Sequence, residues 1–151
     1  MNSTPKILYL GSDHGGFTLK EFLKSYLSET NPEWTVVYLG IFSEEAIDYP
    51  DIANTVAQAV VNAKGTQGII CCGTGIGVSM MANRHKGIRA AVVHDVFTAT
   101  MAKEHNNANI ICLGGRTTPP ELAAPMVDAW LTTPFSEGRH TRRIEKLDSL
   151  A

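Results

Sequence analysis

Two periodicities alternate along the chain. KILYLGSD, TVVYLG, GIICC, IRAAVVHD and NIICLGG are short, nearly continuous apolar runs that end in small or polar residues. Between them lie segments of helical spacing: FTLKEFLKSYL repeats Phe17, Leu19, Phe22, Leu23, Tyr26 and Leu27, and DIANTVAQAVVNA, GVSMMANRH, VFTATMAKEHN and PELAAPMVDAWLTT continue the pattern. Strands apolar throughout their length, each followed by a helix, predict a parallel sheet covered on both faces. The expected fold is α/β: a single doubly wound, Rossmann-like domain over residues 1–151 with a five-stranded parallel sheet. After Pro134 the polar, locally basic stretch FSEGRHTRRIEKLDSLA predicts a C-terminal helical tail, for which a plain solvated helix is one sufficient explanation.

Composition narrows the partners. A chain of 151 residues, 44% hydrophobic, can bury about two thirds of its unfolded surface in one core. A formal net charge of −2 gives no basic character to attract a polyanion, so no nucleic acid is expected and a small molecule is. No segment approaches the roughly 18 apolar residues a membrane span needs, and Ile7–Leu10 is too short for a signal-peptide core. A cytoplasmic protein without membrane contact is the expectation. Cys71, Cys72 and Cys112 are odd in number, lack zinc-ligand spacing, and include a vicinal pair that bridges only through a strained ring, so neither a metal site nor a disulfide framework is indicated.

In open α/β sheets ligands bind at the carboxyl ends of the strands, so the chemistry is sought at those tips. The loop CGTGIGVS sets Gly73, Gly75 and Gly77 between a buried strand and a helix start, where successive N–H groups can cradle a phosphate or an oxyanion. A tight turn alone would also use these glycines. The spacing is not the dinucleotide fingerprint, because the third glycine comes too early, and no Gly-Lys-Ser/Thr follows. Strand alternation sends Cys71 and Cys72 to opposite faces, one into the core and one into the crevice. A thiol beside N–H groups at a helix start is expected to have a lowered pKa and to serve as base or nucleophile, although a free cysteine is also a common small core residue. Asp13 and His14 stand at the first tip, where Asp13 can cap a helix or accept sugar hydroxyls. His105 and Asn106 end the fourth helix, and Arg116 follows the last strand. Arg139 and Arg143, four apart in the tail, can clamp a phosphate from one helix face. A thiol, an N–H nest, an imidazole and several guanidinium groups suit a sugar phosphate.

In the order GSDHGGFTLK, DYPDIA, GIICCGTGIGVSMMAN, GIRAAVVHD, EHNNANIICLGGR and GRHTRRI, these motifs cover nearly the whole chain. Together they resemble the type B ribose-5-phosphate isomerases, the family shared with the galactose-6-phosphate isomerase subunits and allose-6-phosphate isomerase. SMMANRHKGIRA departs slightly from the commoner pattern around Ala82 and Asn83, at no expected catalytic group. The resemblance implies an aldose–ketose isomerase of the non-oxidative pentose phosphate pathway, interconverting D-ribose 5-phosphate and D-ribulose 5-phosphate through an enediolate with no metal and no other cofactor. It matches Cys72 to the proton-shuttling base, Thr74 and the backbone of Gly73, Gly75, Ile76 and Gly77 to the loop around the reacting oxygens, and His105 to furanose opening. Asp13, His14, Tyr49 and Asn106 match sugar or phosphate contacts; Arg116, Arg139 and Arg143 match further ligand positions, with the tail arginines as the phosphate clamp. A homodimer or dimer of dimers with a shared active site is also implied, so that His105 and some arginines serve the neighbour's pocket. The alternatives are a six-carbon sugar phosphate as substrate, a nucleotide or redox module, and a non-catalytic partner subunit. Lack of C-x-x-C and the early third glycine disfavour the second; Cys72, His105 and the arginines disfavour the third.

Overall fold

Strand β3 (Gln67–Cys72) divides the interior in two. Ile69 and Cys71 enter one core; Ile70 and Cys72, one residue out of phase, enter the other. The period-two geometry of a strand requires this split, and it separates the vicinal cysteines as the sequence predicts. Both thiols are buried, as is Cys112, and burial pushes the Cys71 and Cys112 thiols well above their usual pKa.

The computed structural model describes residues 5–150; of the expected 1–151 span, residues 1–4 and 151 lie outside the described residues. In chain order the remaining elements are β1 (Lys6–Ser12), a single 3-10 turn (His14–Gly16), α1 (Phe17–Thr30), β2 (Trp34–Gly40), α2 (Tyr49–Asn62), α3 (Ile76–Ala82), β4 (Ala90–Val92), α4 (Val96–Glu104), β5 (Ile110–Gly114), α5 (Pro120–Thr132) and α6 (Arg139–Asp148). All strand pairs are parallel, in the order β2-β1-β3-β5-β4. Helices α1, α4 and α5 cover one face through Leu19, Leu23, Leu27, Ala99, Met126 and Trp130. On the other, α2 and α3 pack Ile52, Val56, Val60 and Val78 against Ile70, Cys72, Ile110 and Cys112. The expected doubly wound, five-stranded fold with a C-terminal helix is therefore present. Among the described residues no helix is long and apolar enough to cross a membrane.

Strand order was not readable from periodicity. β2 lies to one side of β1 and β3 to the other, so the crevice of the topological switch opens between the tips of β1 and β3. The last strand, β5, inserts between β3 and β4 and brings its own tip alongside. β4 is shorter than the run IRAAVVHD predicts, pairing with β5 over Ala90–Val92 alone. Asn83 extends the pairing in place of a strand: its side chain donates to Ala90 O at 2.9 Å and accepts from Ala90 N–H at 2.8 Å.

Glycines let the tips meet. A Cβ on Gly16 would stand 2.3 Å from the Cys71 carbonyl carbon and 2.4 Å from its oxygen, so the turn after β1 rests directly on the β3 backbone. Gly16→Ala is therefore expected to destabilise the fold by about 1–3 kcal/mol in urea denaturation, because backbone cannot yield as a flexible side chain does. An unchanged midpoint would contradict this close packing.

Candidate active site

The β1 and β3 tips carry the first group of residues. Asp13 is buried; its N–H donates to Cys71 O at 3.2 Å, and its Oδ1 accepts the Gly16 N–H at 3.1 Å. The capping role expected of a carboxylate at this position is thus realised on one oxygen. His14 is exposed, and its Nδ1 accepts the Ile47 N–H at 3.3 Å. A neutral imidazole that accepts at Nδ1 carries its proton on Nε2, so His14 offers a donor outward.

Cys72 ends β3 at 5% exposure, and its Sγ accepts the Gly75 N–H at 3.1 Å. Gly75 makes this possible with a left-handed backbone, φ +82°, which turns the chain sharply into α3. The Ile76 N–H donates to Thr74 Oγ1 at 3.3 Å. Two N–H groups of the expected cradle are thus turned onto the loop's own side chains, while those of Thr74 and Gly77 have no protein acceptor among the described residues. Tyr49, half exposed at the start of α2, lays its ring over Gly77; a Cβ there would be 2.5 Å from the ring. Exposed Thr74 and Ile76 complete the rim.

β5 closes the third side. Gly115 N–H donates to Cys72 O at 2.7 Å and Arg116 N–H to Gly73 O at 3.0 Å. The Arg116 guanidinium lies over Gly73, 3.1 Å from where a Cβ would be. Asp13, His14, Tyr49, Cys72, the 73–77 loop and Arg116 therefore form one cluster.

His105, Asn106, Arg139 and Arg143 are not part of it. α4 runs back against the strand direction, which leaves His105 and Asn106 just before β5, whereas Cys72 pairs with Gly114 at its far end. Four strand steps separate these levels, about 13 Å. His105, Asn106 and Arg143 instead line a cavity of about 730 Å³ beside α6. Asn107, in the left-handed region at φ 43°, reverses the chain after α4. The sequence reading missed His140, noted there only as part of a basic stretch. Its ring is buried and stacked on His105, centroids 4.2 Å apart and planes 12° from parallel. Its spacing next to Arg139 carried no signal of this, since the partner ring is 35 residues away in sequence. Among the described residues no cluster of three or more His, Cys, Asp or Glu side chains is arranged to hold a metal.

The ribose/galactose isomerase family profile matches residues 8–147. The chain is 39% identical over 145 residues to ribose-5-phosphate isomerase B of Escherichia coli, covering 96% of both chains. It is 39% identical over 138 residues to D-erythrulose-4-phosphate isomerase of Pectobacterium atrosepticum, covering 91% of this chain and 90% of that one. A solved ribose-5-phosphate isomerase B of Mycoplasma genitalium with bound ribulose-5-phosphate superposes with TM-score 0.92 at 39% identity, covering 98% and 97% of the two chains.

Burial, followed by His105, Arg139 and Arg143, holds the His140 pKa below its ordinary 6.5, against an opposing pull from Glu104. In the unfolded chain this ring takes a proton near 6.5, and in the folded chain only at lower pH. The unfolded state thus binds more protons in that window, and the stability His140 contributes is lost as pH falls below about 6.5. Hydrogen-exchange protection of α6 should drop between about pH 7.5 and 5.5. His140→Phe keeps a stacked ring without a titration and should flatten that dependence; an unaltered pH response in the variant would contradict the assignment.

Proposed function

The chain belongs to the ribose/galactose isomerase family, and from that premise we propose that it is an isomerase interconverting D-ribose 5-phosphate and D-ribulose 5-phosphate. Residues 1–151 act as one sugar-phosphate isomerase domain. The strongest support is likeness over nearly the whole chain to proteins named ribose-5-phosphate isomerase B, one of them solved with ribulose-5-phosphate bound. A cysteine at the central strand tip, within a pocket of donors, supplies the matching chemistry.

The sugar phosphate enters with its C1–C2 end over the β3 tip. His105 assists ring opening: a proton leaves the anomeric O1 hydroxyl, the C1–O4 bond breaks, and O4 takes up a proton. The Cys72 thiolate then removes the C2 proton. The C–H electron pair becomes the C1–C2 double bond, and the carbonyl π pair moves onto O1, giving an enediolate. Return of a proton to C1, with transfer of the O2 proton to O1, yields the ketose with nothing gained or lost. The free N–H groups of Thr74 and Gly77 face charge that develops on oxygen, so they bind the transition state more strongly than the aldehyde. Asp13, His14, Tyr49 and Asn106 take hydroxyl or phosphate contacts, Arg116 a further ligand contact, and Arg139 with Arg143 the phosphate through charge-assisted bonds.

Because His105 ends α4 before β5 begins, and the start of β5 lies about 13 Å along the strands from the Cys72 tip, the complete site draws on two chains. The working unit is a homodimer, or a dimer of dimers, with a shared active site. Exposed Tyr49, Ile76, Met80 and Phe97 provide apolar surface for such an interface.

Cys72→Ala should lower kcat for ribose 5-phosphate by at least about 1,000-fold while KM changes little, since the thiolate acts on the reacting proton. Retention of activity within about tenfold, roughly 1.4 kcal/mol of barrier, would remove Cys72 from the role of base. In the wild type kcat/KM should be highest for ribose 5-phosphate among ribose 5-, allose 6- and erythrose 4-phosphate; preference for either of the others would overturn the substrate assignment alone.

A further inference from the structure

α6 is strongly polar, and His140 is its only buried residue. Helices ordinarily dock by burying an apolar stripe, yet here Ile144 is half-buried and Leu147 is exposed. The attachments are polar instead, and they converge on the end of α4 and the turn behind it. At the near end, Ser136 N–H donates to Glu104 O at 3.0 Å, and the His140 ring rests on His105. At the far end, Arg89 Nη1 donates to Asp148 Oδ1 and Oδ2 at 3.2 and 2.9 Å.

The rest of the Arg89 fork is directed to the turn itself. Nε donates to Asn106 O at 3.0 Å and to Asn107 O at 3.3 Å, and Nη2 donates to Asn107 O at 3.1 Å. Arg89 is itself held, its N–H donating to Asn109 Oδ1 at 2.8 Å. The Arg89 side chain is only 15% exposed while Asp148 is 37% exposed, so the firmness of the tie comes from the forked, largely buried guanidinium rather than from burial of the carboxylate. One planar group thus spans the turn that carries His105 and Asn106 and the helix that carries Arg139 and Arg143.

We propose that Arg89 is a positioning residue for the isomerisation: by tying Asp148 to the Asn106–Asn107 turn, it fixes the α6 arginines relative to His105. It lines the same cavity as His105 and Arg143, but its side-chain nitrogens are engaged by Asn106, Asn107 and Asp148. Its effect is on preorganisation, because the α6 arginines can grip a phosphate in register with ring opening only if α6 does not swing on the His140 stack. The inference rests on the assignment of Arg139 and Arg143 as the phosphate clamp, and inorganic phosphate is the probe that separates the two claims.

In Arg89→Met, KM for ribose 5-phosphate and the inhibition constant of inorganic phosphate should rise together by about tenfold, since small displacements of positioning groups have effects of that size or larger. Hydrogen-exchange protection should fall in α6 and stay unchanged in α5. Arg89→Lys should retain most of the defect, because an ammonium cannot serve two carbonyls and a carboxylate in one plane. Asp148→Asn should shift both constants in the same direction, and it decides the matter if Arg89→Met fails to fold. A fall in kcat alone, with KM and phosphate inhibition unchanged, would reduce Arg89 to general support of the fold and overturn the proposal. Arg143→Ala, measured in parallel, keeps the claims apart: phosphate inhibition unchanged there overturns the clamp. A weakened inhibition in Arg143→Ala with none in Arg89→Met overturns only the positioning role.

Discussion

The tip of β3 is held from both sides. Cys71 O accepts the Asp13 N–H at 3.2 Å from the β1 side, and Cys72 O accepts the Gly115 N–H at 2.7 Å from the β5 side. The backbones come so close that a Cβ on Gly16 would stand 2.3 Å from the Cys71 carbonyl carbon and one on Gly115 2.5 Å from the Gly15 carbonyl oxygen, which is why these two positions are glycine. With the backbone fixed, strand alternation leaves Cys72 one direction to point, toward the α2–α3 side, where the Gly75 N–H meets its sulfur. The arrangement of Asp13, Arg116 and the 73–77 loop around it follows from the same contacts.

The second consequence is distance. A helix that follows a strand in a parallel sheet runs back the other way, so any residue at its carboxyl end lies at the opposite edge of the sheet from the strand tips. His105 occupies such a position, and α6 adds Arg143 there. One chain thus presents the Cys72 thiol and the His105 imidazole, both proposed for one site, at two ends of the sheet. In the proposed shared site, two copies related by a twofold axis would each offer the His105 end to the other's Cys72 end.

Much of this was legible in the sequence, for identifiable reasons. Period-two alternation separates Cys71 from Cys72 without any knowledge of their neighbours, and the strand–helix alternation predicts the doubly wound sheet. Tip residues such as Asp13 and Arg116 can be found because strand ends are local features. What was hidden depends on strand order and on contacts between residues far apart in the chain. The insertion of β5 between β3 and β4, the short β4 with Asn83 extending its pairing, and the His105–His140 stack have no local signature. Nor does Arg89, whose partners Asn106, Asn107 and Asp148 lie 17, 18 and 59 residues away. The cradle was legible only in part: the glycine spacing predicts N–H groups facing a ligand, but the turn directs those of Gly75 and Ile76 onto Cys72 and Thr74.

The claim that one site is assembled from two chains is tested most directly by complementation. Cys72→Ala and His105→Ala chains are each produced alone and then co-expressed, and ribose 5-phosphate turnover is measured per chain. Random pairing in a twofold dimer gives about one site in four with both groups intact, so the mixture should recover about a quarter of wild-type activity. Activity no greater than the average of the two variants measured separately would contradict the shared site.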